Sequence, residues 1–574
     1  MYPLEEAKNE IITLLKKLLK EYKYEKEIKL EIPPEKMGDF AFPCFTLAPI
    51  LKKSPNEIAL ELSKKISTGK WVEKIETKGA YINFYIDYKL LLKKTIDSVF
   101  ENKDKYGYLE KKKEKVIIEH TSANPNGPLH VGRARNPIIG DTIVRIFRAA
   151  GYNVESQFYL DDTGKQVAIL SWGIHNLKPK DVTKLDSNKP DHQTVGYYQV
   201  ASKIMKEDQK VSDEIGEIAK KCEEGNQKTI NEVHKAYAPV LKGINDSLAR
   251  INITVENYVP ESNFIKDKSA FTVVEKLKKS KYFGEEEGAF YLDLKDFGIK
   301  GRNTKFFFTR NDGTTLYATR DIAYHIWKAK HADILVNILG EDHKLESKQV
   351  EIALGLIGIN KIPNVIFYSF VSLPGGKMST RRGRVVYLDD LIDECVKRAY
   401  VEVKKRRGKE LTEKKMYEIA EIIGIGALRY NIIKVQPEKD IEFKWEEALN
   451  FEGNASPFIQ YSHARACSIL DKKQDDIKNI DTALLNHKSE IDLVKKLSQL
   501  PIIINEACTG FKPHIIPNYL FELASQFNQF YRDCPVLPEK NSKRRVIRLA
   551  LVDATRIVLK NGLDILGIVA PAEM

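Results

Sequence analysis

The chain has 574 residues, 43% hydrophobic and 30% charged, with 92 Lys and Arg against 80 Asp and Glu and a formal charge of +12. That length exceeds what one hydrophobic core organises, so three or more domains are expected, and the composition excludes a disordered chain. Six scattered cysteines with no Cys-x-x-Cys pair argue against a structural zinc site and a disulfide framework, while the modest basic surplus admits a polyanionic partner.

The opening, MYPLEEAKNEIITLLKKLLKEY, is acidic at once and then amphipathic, unlike a secretory signal. No uncharged stretch approaches the roughly 18–20 apolar residues of a membrane span, so no membrane partner and a cytoplasmic location are expected. Residues 1–111 are expected to form a small α+β domain. Ile11, Leu15, Leu18 and Tyr22 recur at helical spacing, Pro33-Pro34 breaks the pattern, and residues 80–85 alternate like a strand.

Residues 112–388 read as a Rossmann-like parallel-sheet domain. Val116 to Ile118 is a short buried strand, followed by a loop rich in Asn, Pro and Gly. A helix then carries Ile139, Ile143, Ile146, Phe147 and Ala150 and stops at Gly151, with Pro137 expected to bend it. Asn153 to Leu160 is a second strand, giving a βαβ unit with ligand expected at the strand ends. Residues 170–300 are polar, Lys/Glu-rich and helical in pattern, an insertion on the sheet; strands return at residues 334–339 and 365–370. From 389 to 574 the pattern is helical throughout, with basic clusters at 404–407 and 543–545. The expected fold class is multidomain, α/β plus all-α.

Two motifs carry chemistry. Ser122 to Arg133, SANPNGPLHVGR, falls between a strand and a helix N-terminus, where free N–H groups and the helix dipole favour phosphate. Gly132 admits close approach of a ligand, and His130 can donate to charge developing on a phosphoryl oxygen. Pro374 to Gly383, PGGKMSTRRG, is a basic loop flanked by glycines that could close over a triphosphate. It is not a P-loop, because the required earlier glycine is missing and Met378 stands where Ser or Thr is needed. Either motif alone is weak; together they describe two halves of one ATP site.

The pairing resembles the class I aminoacyl-tRNA synthetases, whose signatures are His-x-Gly-His and Lys-Met-Ser-Lys-Ser. Here they stand as His130-Val131-Gly132-Arg133 and Lys377-Met378-Ser379-Thr380-Arg381. The stretches from Asn124 to Gly132, Tyr317 to Ala323, Gln460 to Arg465 and Leu563 to Met574 resemble the arginyl-tRNA synthetase family, and the resemblance is weakest in the 170–300 insertion. It implies ATP contacts from His130, Gly132, Arg133, Lys377, Met378, Ser379 and Arg381, with His130 and Lys377 stabilising charge on the phosphates and Mg²⁺ accompanying the nucleotide. It implies an arginine pocket of Glu119, Ser122, Asn124, Tyr317 and Asp321. A guanidinium, with five donors and a permanent charge, suits such acceptors, and a spacing of four puts Tyr317 and Asp321 on one helical face. Asp342 and His343 are expected beside the ribose or the substrate.

The resemblance further implies a reaction in which arginine is activated as its adenylate and transferred to the 2′-hydroxyl of the terminal adenosine of tRNA(Arg). Residues 1–111 would contact the tRNA through Tyr81 and Asn83, and a helical-bundle anticodon-binding domain at 389–574 through Tyr531 and Met574. A monomer and no structural metal are expected. One departure is Arg133, where the family usually has histidine; it raises the alternative of a catalytically silent tRNA-binding relative. An NAD-dependent enzyme is excluded, since no Gly-x-Gly-x-x-Gly follows a strand.

Overall fold

The computed structural model describes residues 1–24, 26–34, 37–182, 187–299, 304–373, 376–377, 386–473, 475–478 and 480–574. The helix Pro3–Leu19 begins on a proline, whose fixed φ suits a first turn, and buries Ala7, Ile11, Leu15 and Leu19 on one face. It shares a core with an antiparallel sheet of β1 (Phe40–Pro43), β2 (Val72–Lys78) and β3 (Tyr81–Ile86), in the order β1-β3-β2. Along β3, Ile82, Phe84 and Ile86 face that core, and Tyr81, Asn83 and Tyr85 share the opposite face.

The second layer system begins with β4 (Lys115–Glu119), whose Val116, Ile117 and Ile118 are fully buried, as a central parallel strand requires. The helix Arg135–Ala149, here the signature helix, leads to β5 (Asn153–Leu160). Pro137 falls in its first turn, where no intrahelical N–H is needed, so it opens this helix rather than interrupting one under way. Four helices follow, Lys165–Asn176, Pro190–Glu207, Gln209–Glu223 and Gln227–Arg250.

Past Arg250 the expected helical insertion gives way to β6 (Asn257–Pro260) and an antiparallel sheet of β7 (Phe283–Glu286), β8 (Ala289–Asp293) and β9 (Lys305–Phe307). The helix Tyr317–His331, here the pocket helix, then precedes β10 (Ile334–Gly340), the helix Lys344–Leu356 and β11 (Asn364–Tyr368). Five strands pair in parallel as β11-β10-β4-β5-β6. The order reverses between β4 and β10, so the crevice at their carboxyl ends is where ligand belongs.

A small sheet ends this part: β12 (Val371–Leu373) pairs with β13 (Gly376–Lys377) and with β14 (Ile441–Glu442). β14 interrupts a region expected to be wholly helical, and it carries the chain back to the crevice rim. The remainder is built from Leu388–Arg407, Glu413–Ile433, Ser456–Asp471, Ile515–Asp533, Ser542–Ile565 and shorter helices. Among the described residues no helix is long and apolar enough to cross a membrane.

Two buried arginines lock the signature helix in place. Arg429, with no exposed surface, donates to Asp141 Oδ2 at 2.5 Å and to the carbonyls of Ile251 and Leu566 at 2.6 and 2.8 Å. Burial would raise the Asp141 carboxyl, but Arg429 and Arg145 outweigh it and hold it below its usual range. Arg135 donates to the carbonyls of Ser369, Gln436 and Lys439 at 2.7, 2.9 and 2.7 Å. The helix that starts at the first motif is thus fixed to both the β14 segment and the helical region. Gly140 lies on its inner side, where a Cβ would collide with the His120 side chain. Gly140→Ala is therefore expected to destabilise the protein by about 1–3 kcal/mol, seen as a lower thermal midpoint.

Candidate active site

A cavity of about 910 Å³ opens at the carboxyl ends of β4 and β10. It is lined by Glu119, Ser122, Tyr317 and Asp321, and also by His130, Gly132, Arg133 and Gly340 to His343. Most residues expected at the site from the sequence therefore face one space. Asn124 is not among the lining residues; its amide donates to Gln166 Oε1 at 2.9 Å.

The chain leaves β4 through two successive left-handed residues, Thr121 at φ 70° and Ser122 at φ 38°. Neither is glycine, and such backbone costs on the order of 1–3 kcal/mol each unless the surroundings hold it. They do: Thr121 N–H donates to Asn136 Oδ1 at 2.6 Å, and Asn136 Nδ2 donates to the Ile338 carbonyl at 2.9 Å. Ser122 Oγ accepts from Tyr159 N–H at 3.1 Å and donates to Glu119 Oε1 at 3.3 Å. The turn aims Ser122 and Glu119 together at the cavity.

His120, beside Glu119, is buried with its Nδ1 2.8 Å from the Thr121 hydroxyl and its Nε2 unpartnered. Burial pushes the imidazole down to about 4, against the pull of Asp141. Its folded value lies below its unfolded value of about 6.5, so the unfolded chain binds the extra proton first and stability falls as pH drops through that window. The expected loss is on the order of 3 kcal/mol. It is measurable as a steeper acid dependence of the urea midpoint in the wild type than in His120→Gln.

His130 precedes a short 3₁₀ turn, Val131–Arg133, that feeds the signature helix. Its Nδ1 accepts from Gly132 N–H at 2.9 Å, so the ring proton resides on Nε2 and that nitrogen is a donor. A Cβ on Gly132 would stand 3.1 Å from Nδ1, a tight approach in which the ring would have to shift by a few tenths of an ångström. Burial, then the Arg133 charge, holds the imidazole below the ordinary histidine value, so His130 is neutral at pH 7. Arg133 itself is exposed at the cavity mouth.

The strand that leads into the basic loop borders the same cavity. Phe370, Val371 and Ser372, which lead into it, line the cavity, and the Lys377 backbone pairs with Ser372. On the far side, Val131 N–H donates to Val386 O at 3.1 Å and Leu388 N–H to Leu129 O at 2.8 Å, stitching the loop's exit to the His130 segment. Asp389 then accepts from Lys189 at 2.6 Å, His192 at 3.2 Å, Ser247 at 3.0 Å and Arg250 at 3.1 Å, which anchors that exit to the inserted helices. Met378, Ser379 and Arg381 lie outside the described residues, as does the Lys377 side chain.

Three residues were missed by sequence reasoning. Lys328 donates to Glu119 Oε2 at 2.6 Å and to Asn337 Oδ1 at 3.0 Å; Asn337 Nδ2 meets His325 Nε2 at 3.0 Å. His325 Nδ1 lies 3.2 Å from Asp321 Oδ1 and 2.8 Å from the Asp321 carbonyl. Burial would raise the Asp321 carboxyl, but His325, Lys328 and His343 together hold it low and ionised. The available signal was spacing, since Tyr317, Asp321, His325 and Lys328 follow one another by four, four and three along the pocket helix.

The residues expected to meet tRNA lie far from this cavity in the chain. Tyr81 is half-buried and edge-on to the exposed Phe45 at 5.6 Å; Asn83 shares its face but is only 4% exposed, not the open side chain expected. Tyr531 is partly exposed beside Arg465, whose guanidinium also covers Tyr461 at 4.8 Å. Met574 is tied down through its carbonyl, which accepts from Arg407 at 2.5 Å.

With that geometry, three family matches coincide. Residues 5–86 match the arginyl tRNA synthetase N terminal domain, 95–445 the catalytic domain of class I tRNA synthetases (R), and 459–574 the DALR anticodon binding domain. The chain is 47% identical over 532 residues to the arginine–tRNA ligase of Methanocella arvoryzae, covering 92% of each. It is 41% identical to that of Methanothermobacter thermautotrophicus, covering 100% of each. Thermus thermophilus arginyl-tRNA synthetase superposes with a TM-score of 0.85 at 27% identity, over 99% of this chain and 100% of that one. The chain belongs to the arginine–tRNA ligase family of class I aminoacyl-tRNA synthetases.

Proposed function

We propose that this chain activates L-arginine with ATP as arginyl-adenylate and transfers it to the 2′-hydroxyl of the terminal adenosine of tRNA(Arg), both steps at the β4/β10 cavity. One observation carries this reading: Glu119 and Asp321, suited to a guanidinium, and the His130 segment, suited to phosphate, line one space. Glu119 and Asp321, with Tyr317 and Ser122, take the arginine side chain; this holds its carboxylate toward the His130 segment. The carboxylate attacks the α-phosphorus of ATP and pyrophosphate leaves. No protein nucleophile is needed, because positioning and charge stabilisation supply the rate.

His130 donates from Nε2 to a phosphoryl oxygen, and Gly132 gives the nucleotide close approach. Lys377, Met378, Ser379 and Arg381 close over the triphosphate, with Arg133 adding charge at the mouth and Mg²⁺ entering with the nucleotide. Asn124 completes the pocket from its place beside Gln166 if the substrate draws it in. Residues 1–111 carry tRNA on the Tyr81 face near Asn83, residues 112–388 hold the chemistry, and residues 389–574 read the anticodon near Tyr531 and Met574.

Arginine-dependent ATP–pyrophosphate exchange, run with and without tRNA, tests the first step. Exchange with arginine supports the reading. Tight tRNA binding with no exchange in either condition contradicts it, in favour of a silent tRNA-binding protein; exchange with another amino acid contradicts the arginine pocket alone.

A further inference from the structure

The contacts around the two carboxylates have a fixed direction. Lys328 has no exposed surface, and its ammonium can only donate. The Asn337 amide must therefore turn its oxygen to Lys328 and its nitrogen to His325. A nitrogen that receives a donor must accept, so His325 Nε2 carries no proton. The single ring proton is then on Nδ1, beside the Asp321 carboxylate and carbonyl. Donors thus run outward from Lys328 both ways, directly to Glu119 and through Asn337 and His325 to Asp321.

We propose that Lys328, Asn337 and His325 are positioning residues for the arginine side chain, acting through Glu119 and Asp321; this rests on the reading of the cavity given above. Two consequences support it. Glu119, only 6% exposed, has Oε2 taken by a buried ammonium, leaving Oε1 with Ser122 on the cavity side. Asp321 is likewise held by His325, which with Asn337 lines the cavity wall beside it, so its direction is set before substrate arrives. Recognition of a planar guanidinium needs acceptors fixed in direction as well as charge.

Asparagine places its amide where Nδ1 of histidine lies, and glutamine where Nε2 lies. The test uses full-length His325→Asn and His325→Gln in pyrophosphate exchange with tRNA present. His325→Asn keeps the donor to Asp321 and is expected to hold the arginine KM within about threefold, whereas His325→Gln raises it about tenfold or more, as loss of a hydrogen bond to a charged group does. The ATP KM stays level in both. Lys328→Met, similar in length and without charge, is expected to raise the arginine KM about tenfold or more, also at constant ATP KM.

Equal effects of the two His325 variants, or an arginine KM unmoved in Lys328→Met, overturn the proposal, as does a loss that falls on the ATP KM. Asp321→Asn separates the two levels. If it leaves the arginine KM unchanged, the cavity reading fails and this inference with it. If it raises the KM while the His325 pair behaves alike, only this inference fails.

Discussion

Asp321→Asn is expected to raise the KM for arginine at least about a hundredfold in pyrophosphate exchange, with the ATP KM within about twofold of wild type. The substitution keeps the side chain's size and its place on the pocket helix but removes the charge opposite the guanidinium. The Asp321 side chain is only 17% exposed, and His325, Lys328 and His343 already hold it ionised. Uncompensated removal of one member of such a pair costs about 3–5 kcal/mol, far more than a surface contact. The amide also turns an NH₂ group toward the substrate's own donors. A rise in the ATP KM instead would mean that Asp321 faces the nucleotide.

His130→Ala is expected to lower kcat for exchange by roughly 10²–10³-fold with little change in the arginine KM. The ring's Nδ1 is engaged by Gly132 N–H, so Nε2 alone is left to donate to the phosphate charge of the proposed reaction. Burial and Arg133 hold the imidazole low, which favours the neutral donor. Arg133→Gln removes one of those causes and should move the acid limb of the kcat profile to higher pH. That shift, read from exchange rates across the acid limb, gives Arg133 a role in keeping the first signature neutral even though it departs from the family's usual histidine.

Much of the site was legible because its residues sit in contiguous words. Ser122 to Arg133 is one loop between a buried strand and a helix, and Tyr317 and Asp321 are one turn apart, so local pattern places them without knowledge of the fold. Lys328 was not legible: in Trp327-Lys328-Ala329-Lys330 it reads as solvated charge, and only its tertiary partner Glu119, 209 residues earlier, makes it a core residue. β6 and β14 escaped for a related reason. Asn257–Pro260 and Ile441–Glu442 are too short for alternation to register, and each becomes a strand by pairing with a neighbour distant in sequence. Arg135 and Arg429 look like surface charges in helices, yet they bury themselves on carbonyls supplied by remote segments.

Transfer of arginine from the β4/β10 cavity to the 2′-hydroxyl is tested most directly by arginine charging of tRNA(Arg) ending in 2′-deoxy- or 3′-deoxyadenosine. The expected result is stable charging of the 3′-deoxy form, which keeps the 2′-hydroxyl, none of the 2′-deoxy form, and loss of charging at low arginine in Asp321→Asn. Charging of the 2′-deoxy form alone, or no charging of either by a protein that binds both, would contradict it.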